Sequence, residues 1–351
     1  MRIGLKTVVT MAAASLLFVA GGSIAAADAS SERLAGTNRY LTAVEVSKQL
    51  FPEGVSTAFV ASGENYPDAV VAGAAGGAYD YPVLLTGRTV VPEPVLDELK
   101  RLNPVHIVVL GGTGAVSRVG EDELAEIGAI SRLSGENRYA TAVMVAQWAF
   151  DPGVPVVYLA SGANFADALS GGVAGALAEG PVLLTTPRSL SKETSDHLAE
   201  FKPRRIVLLG GTNAISERVA EQAAEFAPVT RLAGPDRYGT SAAVSEATFR
   251  TASTVLLADG RTYPDALSGT PLAARLRAPV LLVDEDSVPT EICAEIRRLG
   301  PTRVIALGGA AAVTDATLSQ GTACAAPLVV QPTPQPTATI GPPTTPTGSG
   351  G

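Results

Sequence analysis

After Arg39-Tyr40 the apolar residues of "LTAVEVSKQLF" recur every three or four positions, the spacing of a helix with one buried stripe. "TAFVASG" follows as a short strand ending in a turn. "PDAVVAGAAGGAYD" predicts a helix of small residues, suited to close packing against a sheet. "PVLLT" is a short continuous apolar run, the pattern of a strand buried on both faces. "PEPVLDELKRL" returns to helical spacing, with prolines at its start, where a missing N–H costs little. "HIVVLGG" predicts a third buried strand, "EDELAEIG" a last helix, and "ISRLSG" an extended run into what comes next. Strands alternating with helices predict a parallel sheet with helices on its faces. The strand-to-helix turns then lie at the carboxyl edge, where open α/β sheets bind ligands.

The whole pattern is written three times. "RLAGTNRY" at Arg33 returns as "RLSGENRY" at Arg132 and "RLAGPDRY" at Arg231, each 99 residues on. "PVLL" recurs at Pro82, Pro181 and Pro279, and a glycine pair at Gly111, Gly210 and Gly308. The aspartates of "YPDAV", "FADAL" and "YPDAL" are Asp68, Asp167 and Asp265. These later intervals are 99 and then 98, so one residue is lost after the third "RY". A period this long is domain-sized rather than that of a solenoid. It predicts three modules, over 33–131, 132–230 and 231–328, joined almost without linkers and packed about a pseudo-threefold axis.

The ends read differently. Residues 1–27 carry Arg2 and Lys6, then an apolar run, then small residues, the order of a secretory signal peptide cleaved after Ala27 or Ala29. No later segment offers the ~20 continuous apolar residues of a membrane span. The expectation is a secreted protein without a membrane span after signal cleavage. Residues 331–351 are Pro, Thr and Gly with no charge, a disordered tail or spacer. A covalent wall anchor of the LPxTG kind is not expected.

Removing residues 1–27 takes two of the 26 basic residues and none of the 34 acidic ones, moving the formal charge from −8 to −10. That balance argues against a sequence-independent grip on nucleic acid. The only cysteines, Cys293 and Cys324, fall in the third module. In an exported chain they read as a disulfide closing a loop of ~31 residues and adding ~3 kcal/mol in the chain-entropy model. Reduced, buried thiols are the alternative.

Candidate chemistry is sparse. Arg39, Arg138 and Arg237 stand where helices begin, where a cation opposes the macrodipole and calls for a partner. Either an external anion or an internal carboxylate would serve. Asp68, Asp167 and Asp265 fall in first helical turns, which fits capping or ligand contact. No second carboxylate recurs beside them to form an acid–base pair. The loops "LGGTGAVS", "LGGTNAIS" and "LGGAAAVT" follow strands as phosphate loops do, but match neither GxGxxG nor GxxxxGK[ST]. A tight turn explains them. His106 and His197 are non-equivalent, which disfavours histidine-based triads and zinc sites. No enzyme, metal or cofactor is expected.

"RLAGTNRYLTA", "ASGENYPDAV", "YPVLLTG" and "VVLGG" together resemble the cell wall-binding repeat of the second type, over about residues 33–328. The resemblance implies Toprim-like α/β modules, three to a chain, assembled as an intramolecular pseudo-trimer. It implies noncovalent attachment to the cell wall, at the cell surface, through an anionic secondary wall polymer. The matching positions are "PVLL" at 82–85, 181–184 and 279–282, with the arginines and aspartates above as candidate polymer contacts. The sequence departs from the family in having Val where Ile is common, and Ala166 where the other copies have Pro67 and Pro264. No separate enzymatic or adhesive domain is expected beside the three copies. The alternative function is an accessory protein that modulates or recruits a cell-wall hydrolase, such as an amidase, by protein–protein contact.

Overall fold

The computed structural model describes residues 29–64 and 70–326. The expected leader, the tail over 331–351 and Asp68 lie outside the described residues. Strand β1 (Ser30–Leu34) comes first. The first set of elements is α1 (Arg39–Leu50), β2 (Thr57–Ser62), α2 (Ala72–Tyr79), β3 (Val83–Thr86), α3 (Glu93–Leu102), β4 (His106–Leu110), α4 (Arg118–Ala125) and β5 (Ala129–Leu133). The second is α5 (Arg138–Ala149), β6 (Val157–Ser161), α6 (Ala166–Leu177), β7 (Val182–Thr185), α7 (Lys192–Phe201), β8 (Ile206–Leu209), α8 (Glu217–Ala224) and β9 (Val229–Leu232). The third is α9 (Arg237–Thr248), β10 (Thr254–Asp259), α10 (Pro264–Arg275), β11 (Val280–Val283), α11 (Thr290–Leu299), β12 (Arg303–Leu307) and α12 (Asp315–Cys324). The alternation expected from the sequence is present throughout.

These strands form three four-stranded parallel sheets, ordered β3-β2-β4-β5, β7-β6-β8-β9 and β11-β10-β12-β1. The extended run at the end of each copy is thus an edge strand of the preceding sheet. β5 and β9 reach their sheets through a short turn. β1 instead crosses to the far end of the chain, where Leu34 lies in register with Leu307. Arg33 Nη1 donates to the Gly308 carbonyl across 275 residues of sequence at 2.8 Å, and its Nη2 meets Asp315 at 2.8 Å. Arg132 and Arg231 do the same within their neighbourhoods, binding the Gly111 and Gly210 carbonyls at 2.7 and 2.9 Å and pairing with Glu121 and Glu217. The ring of modules is therefore closed by a strand, without a covalent link.

Small-residue helices α2, α6 and α10 pack on one another around the pseudo-threefold axis as well as on their sheets. Their composition is what permits this. A Cβ on Gly77 would lie 2.7 Å from the Ala176 Cβ and 2.9 Å from the Ala274 Cβ, so a larger residue there pushes both neighbours away. The "VLL" residues of β3 and β7 and those of β11 are fully buried between helices. Each such side chain contributes about 1.5–3 kcal/mol by leaving water.

Cys293 and Cys324 are joined in a disulfide between α11 and α12. By repeat register they replace Leu96 and Ile127, which pack at the corresponding place in the first module. The reason lies in chain order. Helices α4 and α8 are each followed by a strand that enters their own sheet, whereas α12 packs on β1, borrowed from the start of the described residues. The disulfide supplies a covalent hold beside this borrowed edge strand. Replacing both cysteines with serine is expected to cost about 3 kcal/mol of stability by denaturant titration. Hydrogen exchange should then rise first in α12 and β1.

A second difference among the copies is internal. In the first module Glu98 is buried, accepts from Ser47 Oγ at 2.5 Å, and is bound by Arg101 Nε at 2.7 Å. Arg101 also donates to the Phe51 and Pro52 carbonyls, stitching α3 to the end of α1. Ser245, Glu295 and Arg298 repeat the arrangement in the third module. The second module has Ala146, His197 and Glu200 at these places. His197 is 2% exposed, stacks 4.2 Å from the Phe201 ring centroid, and neither ring nitrogen has a hydrogen-bond partner. Its burial lowers the imidazole pKa against the opposing charge of Glu200. The folded chain therefore refuses a proton that the unfolded chain accepts below about 6.5. Stability from this position is present above that pH and declines as the pH falls through it toward the depressed folded value. The triple variant Ala146→Ser/His197→Glu/Glu200→Arg is expected to gain about 1–3 kcal/mol at pH 7, from satisfying the buried polar site. The gain should widen between pH 7 and pH 5.5 in parallel urea titrations.

Candidate functional site

The helices that open each copy are capped by their own sequence. Asn38 Oδ1 accepts from the amides of Tyr40 and Leu41 at 3.0 Å, Asn137 serves α5 alike, and Asp236 accepts from Tyr238 and Gly239 at 2.9 Å. An anion at these termini therefore meets amides already engaged. The arginines that follow reach sideways instead. Arg39 Nη1 donates to the Gly63 carbonyl at 2.6 Å and Arg237 Nη1 to the Gly260 carbonyl at 2.5 Å, with Arg138 bound to the Gly162 carbonyl in the same way. Each bond ties a helix start to the turn after the first central strand of its own sheet.

Arg39 and Arg237 also touch the module before their own. Arg237 lies over the Phe165 ring at 5.9 Å, a cation–π distance, and Arg39 hydrogen-bonds the Tyr263 side chain. Phe165 and Tyr263 meet with ring centroids 5.9 Å apart. Arg39 and Arg237 thus sit at seams between modules.

At two seams the described residues line a cleft. The first encloses about 550 Å³ among Ser161, Asn164, Asp167, the loop 211–214, and Asp236, Arg237 and Thr240 of the next repeat. The second encloses about 220 Å³ among Asp259, Asp265, Gly309, Ala312, and Asn38, Arg39 and Thr42 from the chain start. Both open at the carboxyl ends of parallel strands. The second exists only because β1 brings the N-terminal segment to the third sheet.

The aspartates do not behave as simple caps. Phe165 and Tyr263 hold the N-cap positions of α6 and α10 and supply no capping side chain. Two residues on, the carboxylates turn toward threonines of the neighbouring repeat, Thr240 for Asp167 and Thr42 for Asp265. They press on the glycine loops, whose first glycines have positive φ: 89° at Gly111, 99° at Gly210 and 94° at Gly308. A Cβ on Gly210 or Gly308 would fall on the carboxylate of Asp167 or Asp265. Glycine is thus required twice over, for backbone conformation and for room. Burial pushes the Asp167 carboxyl up to about 6, against the hydrogen bond from Thr240 and the charge of Arg237. Burial raises Asp265 too, with Thr42 and Arg39 opposing and Asp259 assisting.

The structure brings Arg237 to Asp167 and Arg39 to Asp265. It does not bring Pro82, Pro181 or Pro279 to these clefts. All three prolines are buried at the amino ends of their strands, where their carbonyls accept from Phe59, Tyr158 and Leu256 at 2.9–3.0 Å. Arg132 and Arg231 are held by carboxylates and carbonyls of the preceding sheet. Thr42, Thr141 and Thr240 went unread in the sequence, although their 99-residue register was a signal. Each also accepts the amide of the glycine before its helix, at 3.1–3.3 Å. Among the described residues no group of three or more His, Cys, Asp or Glu is placed to hold a metal, and no helix is long and apolar enough to cross a membrane.

Three parallel sheets sharing edge strands in a ring, with clefts at the seams, define a three-module α/β pseudo-trimer. The model of "Cell wall binding domain 2" matches residues 33–120, 132–220 and 231–318, and the chain belongs to that family. It is 30% identical over 267 residues to N-acetylmuramoyl-L-alanine amidase LytC of Bacillus subtilis (strain 168), covering 76% of this chain and 53% of that protein. It is 27% identical over 290 residues to the amidase enhancer of the same organism, covering 82% and 39%. Among solved structures, Cwp6 from Clostridium difficile superposes with a TM-score of 0.79 at 27% identity, covering 85% of this chain and 48% of that one. Cwp8 from the same organism gives 0.75 at 25%, covering 84% and 51%. The chain spans about half the length of these relatives, or less.

Carbon-13 NMR of the side-chain carboxyls should show Asp167 titrating near pH 6. Thr240→Val removes the hydrogen bond that favours the charged form and should move the midpoint higher. A midpoint near 4 would show the carboxylate to be hydrated rather than sealed between modules.

Proposed function

We propose that this protein attaches noncovalently to the bacterial cell wall by holding anionic groups of a secondary wall polymer in the clefts at its module seams, without catalysing a reaction. The observation that carries this reading is the recurrence of one arrangement at two seams: an arginine, a capped helix start and a glycine loop around an open cleft at the strand ends. Its membership of the wall-binding family supports it. So does the scarcity of catalytic groups, since His106 is exposed on β4 and His197 is buried on α7, both away from the clefts.

The net charge sets a condition on this function. A chain at −10 without its leader is repelled by an anionic polymer at long range, but salt confines that repulsion to ~10 Å at 0.1 M. Within that distance Arg39 and Arg237 present positive charge at the seams. Equivalent weak sites on one rigid ring gain by avidity, because the second contact is made at high effective concentration.

Similarity to an amidase and to an amidase enhancer favours a second reading, in which the ring recruits or modulates a wall hydrolase by protein contact. Sedimentation with native walls and with walls stripped of secondary polymer by mild acid separates the two. The polymer reading expects binding to be lost on stripping. It further expects Arg39→Met/Arg138→Met/Arg237→Met to weaken wall binding at least tenfold while the circular dichroism stays native. Retention of wild-type binding by that folded variant would remove the arginines from the site. Recovery of a hydrolase by crosslinking on cells, with walls bound equally before and after stripping, would favour the second reading.

A further inference from the structure

In both clefts an incoming anion meets a carboxylate beside the arginine, buried at Asp167 and part-buried at Asp265. Asp167 is 6% exposed, wedged between the Gly210 backbone and Thr240. The Oδ1 atom of Asp265 is sealed from solvent and has no hydrogen-bond partner. Neither carboxylate makes a direct ion pair with its arginine. The other charges facing them are already committed. Asp236 on α9, across from Asp167, is bound to two amides of its own helix. Asp259 at the end of β10, across from Asp265, is bound to Arg261, which also pairs with Glu285. The loops 211–214 and 309–312 and the residues of α6 beyond Asp167 bring no charge.

A site built for anions is thus furnished with an acid. We propose that each cleft takes up a proton together with its anion, so that the carboxyl group of Asp167 or Asp265 donates an O–H···O hydrogen bond to an anionic oxygen of the wall polymer while the adjacent arginine faces the same group. This rests on the reading of the clefts as polymer sites. The proton comes from solvent on binding and returns on release, and no other bond forms or breaks. Two ionised oxygens facing each other away from water repel, whereas one shared proton makes a short, charge-assisted hydrogen bond. Burial raises both carboxyls, that of Asp167 to about 6, and so favours the acid form of each.

The consequence is tighter attachment in acid. Above the free carboxyl's pKa, affinity at one cleft should fall about tenfold for each pH unit, and it should level off below. Wild-type protein with native walls at constant ionic strength is expected to bind at least tenfold more tightly at pH 6 than at pH 8. Asp167→Asn/Asp265→Asn keeps a donor without needing the proton, and should lose that dependence by binding at pH 8 nearly as the wild type does at pH 6. Calorimetry of the wild type with polymer released from walls, in two buffers of different protonation enthalpy, should show net proton uptake. Dimethyl phosphate as competitor tests a phosphodiester oxygen and acetate a carboxylate one, with competition stronger at pH 6 than at pH 8 expected from whichever matches the polymer. The proposal is overturned by wild-type binding that is flat or weaker in acid, by a folded double variant that keeps the wild-type slope, or by zero proton uptake. Absence of wall binding at every pH would instead remove the reading of the clefts on which it rests.

Discussion

The close approach of three small-residue helices holds this molecule in its working form. Where α2, α6 and α10 meet at the axis, Gly77 leaves no room for a side chain between Ala176 and Ala274. That contact fixes the spacing and angle of the three sheets. Everything at the seams follows from it, because a helix start in one module faces the strand ends of another only while the axis is tightly packed. The alanine and glycine content is therefore a requirement of assembly, and dispersion across the axis is strong because no gap is left.

Sharing of edge strands converts three sequential copies into a cycle. Each sheet is completed by the strand that opens the next copy, and this makes the chain ends the weak point of the ring. Both ends carry a specific remedy. β1 is fixed to β12 by Arg33 and Glu32, the latter bound by Arg303 Nε at 3.0 Å, and α12 is fixed to α11 by the disulfide. The copies are free to differ away from these constraints. A buried Ser–Glu–Arg cluster in the first and third modules gives way to His197 in the second, where the fold persists with two unsatisfied nitrogens.

The seams place opposite charges near one another without neutralising them. Arg39 and Arg237 spend one donor each on a backbone carbonyl of their own module and direct the guanidinium toward an aromatic side chain of the preceding one. The same side chain that steadies the junction marks its cleft as positive. Burial raises the carboxyl pKa of both aspartates, that of Asp167 to about 6, so less acid is needed to discharge them, which eases the conflict between an acidic protein and the anionic polymer proposed as its ligand.

Much of this was legible in the residues. Hydrophobic periodicity determined the order of helices and strands, the parallel sheets and the number of modules, because burial of one stripe or of two faces imposes a period on the chain. The repeat register singled out the arginines and aspartates, and the cysteine count with the expected export leader pointed to the disulfide. Partnership was not legible. Nothing local tells that Arg33 bonds Gly308, that Asp265 faces Thr42, or that "PVLL" ends up walled in at the edge opposite the clefts. A sequence period is a property of neighbours along the chain. Which side chains share a cleft, and how far burial moves their proton equilibria, is decided by surfaces that meet only when the ring closes.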